Sequence, residues 1–140
     1  LAAALAAHPE AIVSAGARDP EAQSLKDLRD DHPNVQTVKL TSGGENDNRA
    51  AIVEIQATAG QLDVVIVNAA IGKYVAPLVN TPISGFRDHW EVNMLGPIVS
   101  FQSVHGLLLA LTTKVPIFVL VSSVAGSMGH YLSLRSSPYG

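Results

Sequence analysis

Two short runs, LDVVIVN at 62–68 and VPIFVLV at 115–121, most constrain what this chain can fold into. Both are nearly unbroken apolar stretches rich in Val and Ile, without polar alternation. They therefore read as strands covered on both faces. Such strands belong to parallel sheets, and parallel neighbours need a long crossover, usually a helix. The segment between the two runs supplies one. Thr81-Pro82 opens a helix over 82–111, with Phe86, Trp90, Met94, Pro97, Phe101, Val104, Leu108 and Leu111 recurring every three or four residues.

The same alternation fills the first half. Leu1 to Ala7 is alanine-rich and helix-prone, and His8-Pro9-Glu10 breaks it. AIVSAGA (11–17) is strand-like. DPEAQSLKDLRDD (19–31) reads as a helix with Asp19 as N-cap and Pro20 at its first position. VQTVKL (35–40) alternates like a strand, TSGGENDN is a loop, and RAAIVEIQATAG (49–60) is a helix closed by Gly60. Residues 69–80 are irregular. This order predicts an α/β fold, a doubly wound parallel sheet of Rossmann type. At 140 residues it predicts one domain, long enough to bury about two thirds of its unfolded surface. Aromatics are only 5% of the chain, so Val, Ile, Leu and Ala must build the core.

Composition excludes several classes of function. Nine basic and 12 acidic residues leave a net charge of −3 with no basic block, which disfavours a nucleic-acid partner. There is no cysteine, hence no disulfide or thiolate cluster, and the cytoplasm is the expected compartment. The apolar stretches read as too short for a membrane span, so no membrane partner is expected. The five histidines (8, 32, 89, 105, 130) show no close ligand pairing and read as surface or boundary residues, with no metal site. P-loop, HExxH and G-x-S-x-G patterns are absent.

Ligands of such sheets bind at the carboxyl ends of strands. The residues there are Arg18, Thr41, Asn68 and the pair Ser122-Ser123. Arg18 offers a planar fork suited to a cofactor's 2′-phosphate, against the plainer reading of a surface arginine pairing with Asp19 or Glu21. Asn68 is followed by Ala69 and Ala70, small enough to let a flat ligand approach the backbone, or it ends an ordinary turn. Asn93 lies mid-helix, where asparagine is a mediocre former. It marks either a local break or a water-holding side chain, or else a solvent-facing residue. A serine and Tyr139 near one strand end can make a proton-transfer site. A phenol titrates near pH 10 in water, so this role needs a nearby positive charge. The alternatives are a serine turn and a surface tyrosine.

In order and spacing these pieces resemble the short-chain dehydrogenase/reductase family, and its fungal ketoreductase-like members in particular. AGARDP (15–20) is similar to the NADP-type second strand, VNAA (67–70) to the Asn-Asn-Ala-Gly element and EVNMLGP (91–97) to the helix with the catalytic asparagine. VLVSSVAG (119–126) is similar to the serine strand and SSPYG (136–140) to the start of Tyr-x-x-x-Lys. The resemblance implies a dinucleotide-binding domain over 1–140 and an enzyme reducing a ketone or aldehyde with NADPH. It implies Ser123 on the substrate carbonyl, Tyr139 as proton donor and Asn93 holding a water in the proton relay. It places Arg18 on the 2′-phosphate, Asn68, Ala69 and Ala70 along the adenosine side, and Thr41 where an acid commonly meets adenine. Tyr139 also falls on the cofactor side. Arg18, and the lack of an acid at Ala17, favour NADP over NAD. The family commonly associates through the long helix, so a homo-oligomer contact is expected over 82–111.

The departures from the pattern shape further expectations. The family's first strand and its T-G-x-x-x-G-x-G turn have no counterpart, and its lysine falls beyond Gly140. The chain is therefore expected to be a segment truncated at both ends. The alternative is an inactive paralogue that serves as a binding or dimerisation partner. The absent strand would lie between 11–17 and 62–67. Those two are expected either to pair directly or to leave edges open, with low stability for the isolated segment. Ala70 stands in place of a glycine, and the interval from Ser123 to Tyr139, 16 residues, is longer than usual.

Overall fold

Val35 and Val38, which flank Gln36-Thr37 and therefore face opposite sides of their strand, are buried at 6% and 1% exposure and anchor the first half of the fold. The computed structural model describes residues 1–74, 76–110 and 115–124. Its elements are α1 (Ala2–Ala6), β1 (Val13–Ala17), α2 (Gln23–Asp31), β2 (Val35–Lys39), α3 (Glu45–Ala59), β3 (Val64–Val67), a 3₁₀ turn (Leu78–Asn80), α4 (Ile83–His89), a π-helical turn (Trp90–Leu95), α5 (Gly96–Ala110) and β4 (Ile117–Leu120). This is the predicted α/β alternation. β1 runs parallel to β2 from Val13 opposite Val35 to Ala17 opposite Lys39. β3 runs parallel to β4 from Val64 opposite Ile117 to Val67 opposite Leu120.

Val38 meets Ala51 and Ile55 of α3, with Leu40, Ile52 and Leu62 at the margin. Burying a valine in this way contributes about 1.5–3 kcal/mol. Asn34 fastens the start of the same half. Its Nδ2 donates to the carbonyls of Ala6 (3.0 Å) and Ala11 (2.9 Å), tying the end of α1 to the entry of β2.

Among the described residues the strands form two separate two-stranded sheets, β1–β2 and β3–β4. Of the two outcomes expected, direct pairing and open edges, the second is observed. β3 and β4 are less covered than their sequences imply: Val64 is 47% and Ile117 50% exposed.

Four sequence expectations are corrected. The helix expected from Asp19 begins at Gln23, because Ala22 is extended (φ −54°, ψ 140°). Asp19 caps a turn instead, its Oδ1 accepting the Glu21 N–H at 3.0 Å. The helix expected from Arg49 begins at Glu45, so ENDN is its first turn, with Glu45 and Asp47 favourably placed near the positive end of the helix dipole. The stretch Ile83–Ala110 is, by length and composition alone, long and apolar enough to cross a membrane. Part of it packs against α3 and β4, and 22% of its apolar window is buried. Fourth, His89 is buried at 5% exposure, not a boundary residue. Gly60 does close α3, with φ 76°.

Asn48, 2% exposed, holds the loop after β2. Its Nδ2 donates to the carbonyls of Thr41 (3.1 Å) and Gly44 (2.9 Å), and its Oδ1 accepts from Ser100 Oγ of α5 at 3.2 Å. Asn48→Ala removes all three side-chain bonds, leaving the part-buried Thr41 and Gly44 carbonyls only their backbone donors. It should lower stability by about 1–3 kcal/mol, read as a shift of the urea midpoint of the intact protein. A midpoint unchanged within error would show that water replaces the amide.

Candidate active site at the strand ends

The carboxyl ends of parallel neighbours lie side by side, so register alone decides which residues meet. Val67 is opposite Leu120, and the Val121 N–H donates to the Val67 carbonyl at 3.0 Å. Asn68-Ala69-Ala70 and Ser122-Ser123 therefore leave the β3–β4 sheet from one edge. Asn68, Ala69 and Ala70 are exposed, while Ser123 is half-buried. On the other sheet, Leu40 N–H donates to the Ala17 carbonyl at 2.8 Å, which places Arg18 beside the segment leading to Thr41.

Arg18 is exposed, and its guanidinium has no partner among the described residues. The plainer reading paired it with Glu21 or Asp19. Glu21 instead lies 3.5 Å from Arg29 and 3.7 Å from Lys26, and Asp19 caps its own turn. The Arg18 carbonyl accepts from Lys39 Nζ at 2.7 Å, which fixes the backbone while the side chain stays available.

The long helix is not uniform. Between α4 and α5 it widens into the π turn, where the Gly96 N–H reaches back five residues to the Glu91 carbonyl. Pro97 has no N–H to offer the Asn93 carbonyl, so a regular helical bond is impossible there. The local break expected at Asn93 is thus present, and its side chain has a definite task. Asn93 Oδ1 accepts the Ile71 N–H at 2.9 Å and Nδ2 donates to the Ile71 carbonyl at 2.9 Å. One turn earlier, His89 Nε2 accepts the Lys73 N–H at 3.2 Å. Since that amide can only donate, Nε2 is the unprotonated nitrogen. Nδ1–H then donates to the Gly85 carbonyl at 2.7 Å. Asn93 and His89 together grip the loop that leaves Asn68.

The loop after β2 rests on the same π turn. Gly43 has φ +77°, and a Cβ there would stand 2.5 Å from Glu91 Oε1 and 3.1 Å from the Glu91 carbonyl oxygen. A Cβ on Gly96 would stand 3.1 Å from Ser42 Cβ. One short turn therefore positions both the Thr41 loop and the Asn68 loop. The apolar stripe on the helix divides: Phe101 packs edge-on against Phe118 of β4 at 5.2 Å, whereas Trp90 and Met94 are 56% and 49% exposed.

Sequence reasoning missed His89 and Asn48. His89 could have been found, because it sits one helical turn before Asn93 and so shares its face. Asn48 had no such signal, since its burial depends on α5 closing over α3. Tyr139, Leu111 and His130 lie outside the described residues. Among the described residues, no group of three His, Asp or Glu side chains stands close enough to hold a metal.

Comparison with known proteins agrees with this layout. The model of the short chain dehydrogenase family matches residues 1–138. An uncharacterized oxidoreductase of Schizosaccharomyces pombe is 37% identical over 131 residues, 92% of this chain and 51% of the relative. The norsolorinic acid ketoreductase of Emericella nidulans is 31% identical over 135 residues, 93% of this chain and 51% of its own length. The chain thus spans about half the length of these relatives. Among solved structures, the NADPH-bound carbonyl reductase from chicken fatty liver superposes with TM-score 0.77 at 24% identity, over 91% of this chain and 55% of its own. A metagenomic short-chain oxidoreductase in complex with NADP reaches 0.81 at 20% identity, over 99% and 61%. These two likenesses show the fold. The family match runs over the same strand ends and the same interrupted helix that organise the two loops, and this chain belongs to the short-chain dehydrogenase family.

Proposed function

We propose that the protein reduces a ketone or aldehyde with NADPH, in the sense C=O + NADPH + H⁺ → CHOH + NADP⁺. The observation that carries this reading is the β3–β4 register, which sets Asn68 and Ser123 on one edge with Asn93 gripping the loop between them and the helix. Support for the cofactor comes from the exposed Arg18 guanidinium, placed at a strand end with no competing carboxylate among the described residues. A carbonyl substrate is supported by the ketoreductase among the relatives.

The residues fit a dinucleotide. Arg18 offers a bidentate fork to the 2′-phosphate. The half-buried Thr41 and the small, exposed Asn68-Ala69-Ala70 segment leave room for a flat ring. When bound, NADPH supplies the hydride. The chain's own residues do the rest. Ser123 Oγ–H donates to the substrate carbonyl oxygen and orients it. Tyr139 Oη–H delivers the proton to that oxygen as charge develops there. Asn93 holds the water that returns a proton to the relay, while its side chain keeps the loop after β3 in place. The partners are then a small carbonyl compound and a second copy of the chain. The copy would dock on the exposed line Trp90, Met94 and Ile98, three residues four apart on one helical face.

The test is isotopic. NADPH carrying deuterium at C4 is incubated with the intact protein and an aromatic ketone probe. Deuterium is expected on the carbinol carbon of the product. Quenching of cofactor fluorescence without transfer to any of a panel of ketones and aldehydes would favour the binding-partner reading instead.

A further inference from the structure

We infer that His89, held as the neutral Nδ1–H tautomer, is a positioning residue that sets the loop Ile71–Lys73 in register with the reacting edge. This rests on the reading of that edge as an active site.

His89 is 5% exposed although it ends α4 between the charged Asp88 and the exposed Trp90, so its ring is turned inward from an otherwise polar stretch of helix. Burial of such a ring is costly unless both nitrogens are matched. They are matched by groups of opposite kind. The Gly85 carbonyl can only accept and the Lys73 N–H can only donate, at 2.7 and 3.2 Å. That pair selects one tautomer and leaves no room for the other. Asn93 grips Ile71 two residues earlier through both amide atoms. The two side chains are one turn apart on the helix, and their targets are two residues apart in the loop. Two such anchors define the loop's height and its direction, which one anchor cannot do.

The far end of the loop carries a mark of the same constraint. Tyr74 adopts φ 61°, a left-handed conformation uncommon for a side chain of its size. Its ring lies 6.3 Å from the His89 ring and close over Gly85, where a Cβ would stand 2.8 Å from Tyr74 Cδ2. The ring, 38% exposed, thus rests one side on the histidine and on the bare glycine. His89 does not need to touch the reacting atoms. It acts through Lys73 and Tyr74 on the path of the loop that begins at Asn68.

The experiment uses the intact protein, His89→Phe and His89→Gln. Phenylalanine fills the space without an acceptor, and glutamine can turn its Oε1 to the Lys73 N–H. His89→Phe is expected to speed amide exchange at Ile71 and Lys73. It should also lower kcat toward the aromatic ketone probe by roughly tenfold, with the NADPH Kd within about twofold. His89→Gln should recover most of both effects. In the wild type, ¹⁵N imidazole spectra should show the Nδ1–H tautomer, which keeps the proposal testable even if His89→Phe fails to fold. An Nε2–H pattern, unchanged loop exchange in His89→Phe, or equal kcat losses in Phe and Gln variants would each overturn it. If the wild type transfers no hydride, the functional reading fails on its own. The exchange and imidazole results still decide whether His89 anchors the loop.

Discussion

Tyr139→Phe in the intact protein is expected to lower turnover by about 10²–10⁴-fold, the usual worth of a positioned general acid, and to leave NADPH affinity unchanged. The substitution removes one oxygen and keeps the ring, so on the proposed mechanism it takes away the proton source and little else. On the proposed mechanism the proton is needed only as the carbonyl oxygen gains charge, so the loss belongs in kcat and not in the binding of either ligand. Single-turnover measurement with the deuterated cofactor separates this from slow product release. Turnover within a few fold of wild type would remove Tyr139 from the mechanism and leave Ser123 as the group to test next.

The second large effect is on cofactor choice. Arg18→Ala should weaken NADPH binding by roughly 10–100-fold, the range for a charge-assisted pair, with NADH altered far less. The reason is local. Arg18 stands at the end of β1 without a carboxylate partner among the described residues, since Glu21 is taken by Arg29 and Lys26. Among the described residues no bond to the guanidinium has to break when a phosphate arrives. Fluorescence titration with both cofactors decides the matter. The NADPH difference should also shrink as salt is raised, because exposed charges are screened. Equal losses for NADPH and NADH would mean that Arg18 supports the loop and does not read the phosphate.

Several elements were legible because their cause is local. Val35 and Val38, three apart and so on opposite faces, are the apolar residues of β2 and its buried positions. Gly60 ends α3 in the left-handed region that glycine enters freely. The apolar runs at 64–67 and 117–120 are the parallel pair. Helix starts were less legible. Glu45 and Gln23 open helices where side-chain chemistry pointed to Arg49 and Asp19, because the entry is set by how the preceding turn closes. At Asp19 the carboxylate closes that turn, and at Asn48 the amide holds Thr41 and Gly44.

The candidate site divides along the same line. Asn68, Ser123, Arg18 and Asn93 could be picked out from their places after strands or within a helix. A parallel sheet sends all its carboxyl ends one way, so order along the chain already implies position at an edge. The two sheets, the π turn and the partners of the buried amides were not implied in this way. Asn93 was recognisable as a break, but its grip on Ile71 joins residues 22 apart in the chain. The burial of His89, and with it the choice of tautomer, needed Lys73 brought over the helix. Periodicity and turn chemistry act over a few residues, and by themselves they determined the α/β order, the strand ends and the identity of most candidate side chains. Which of those side chains meet, and in what protonation and register, depends on contacts between distant segments. Only the tertiary structure could decide that.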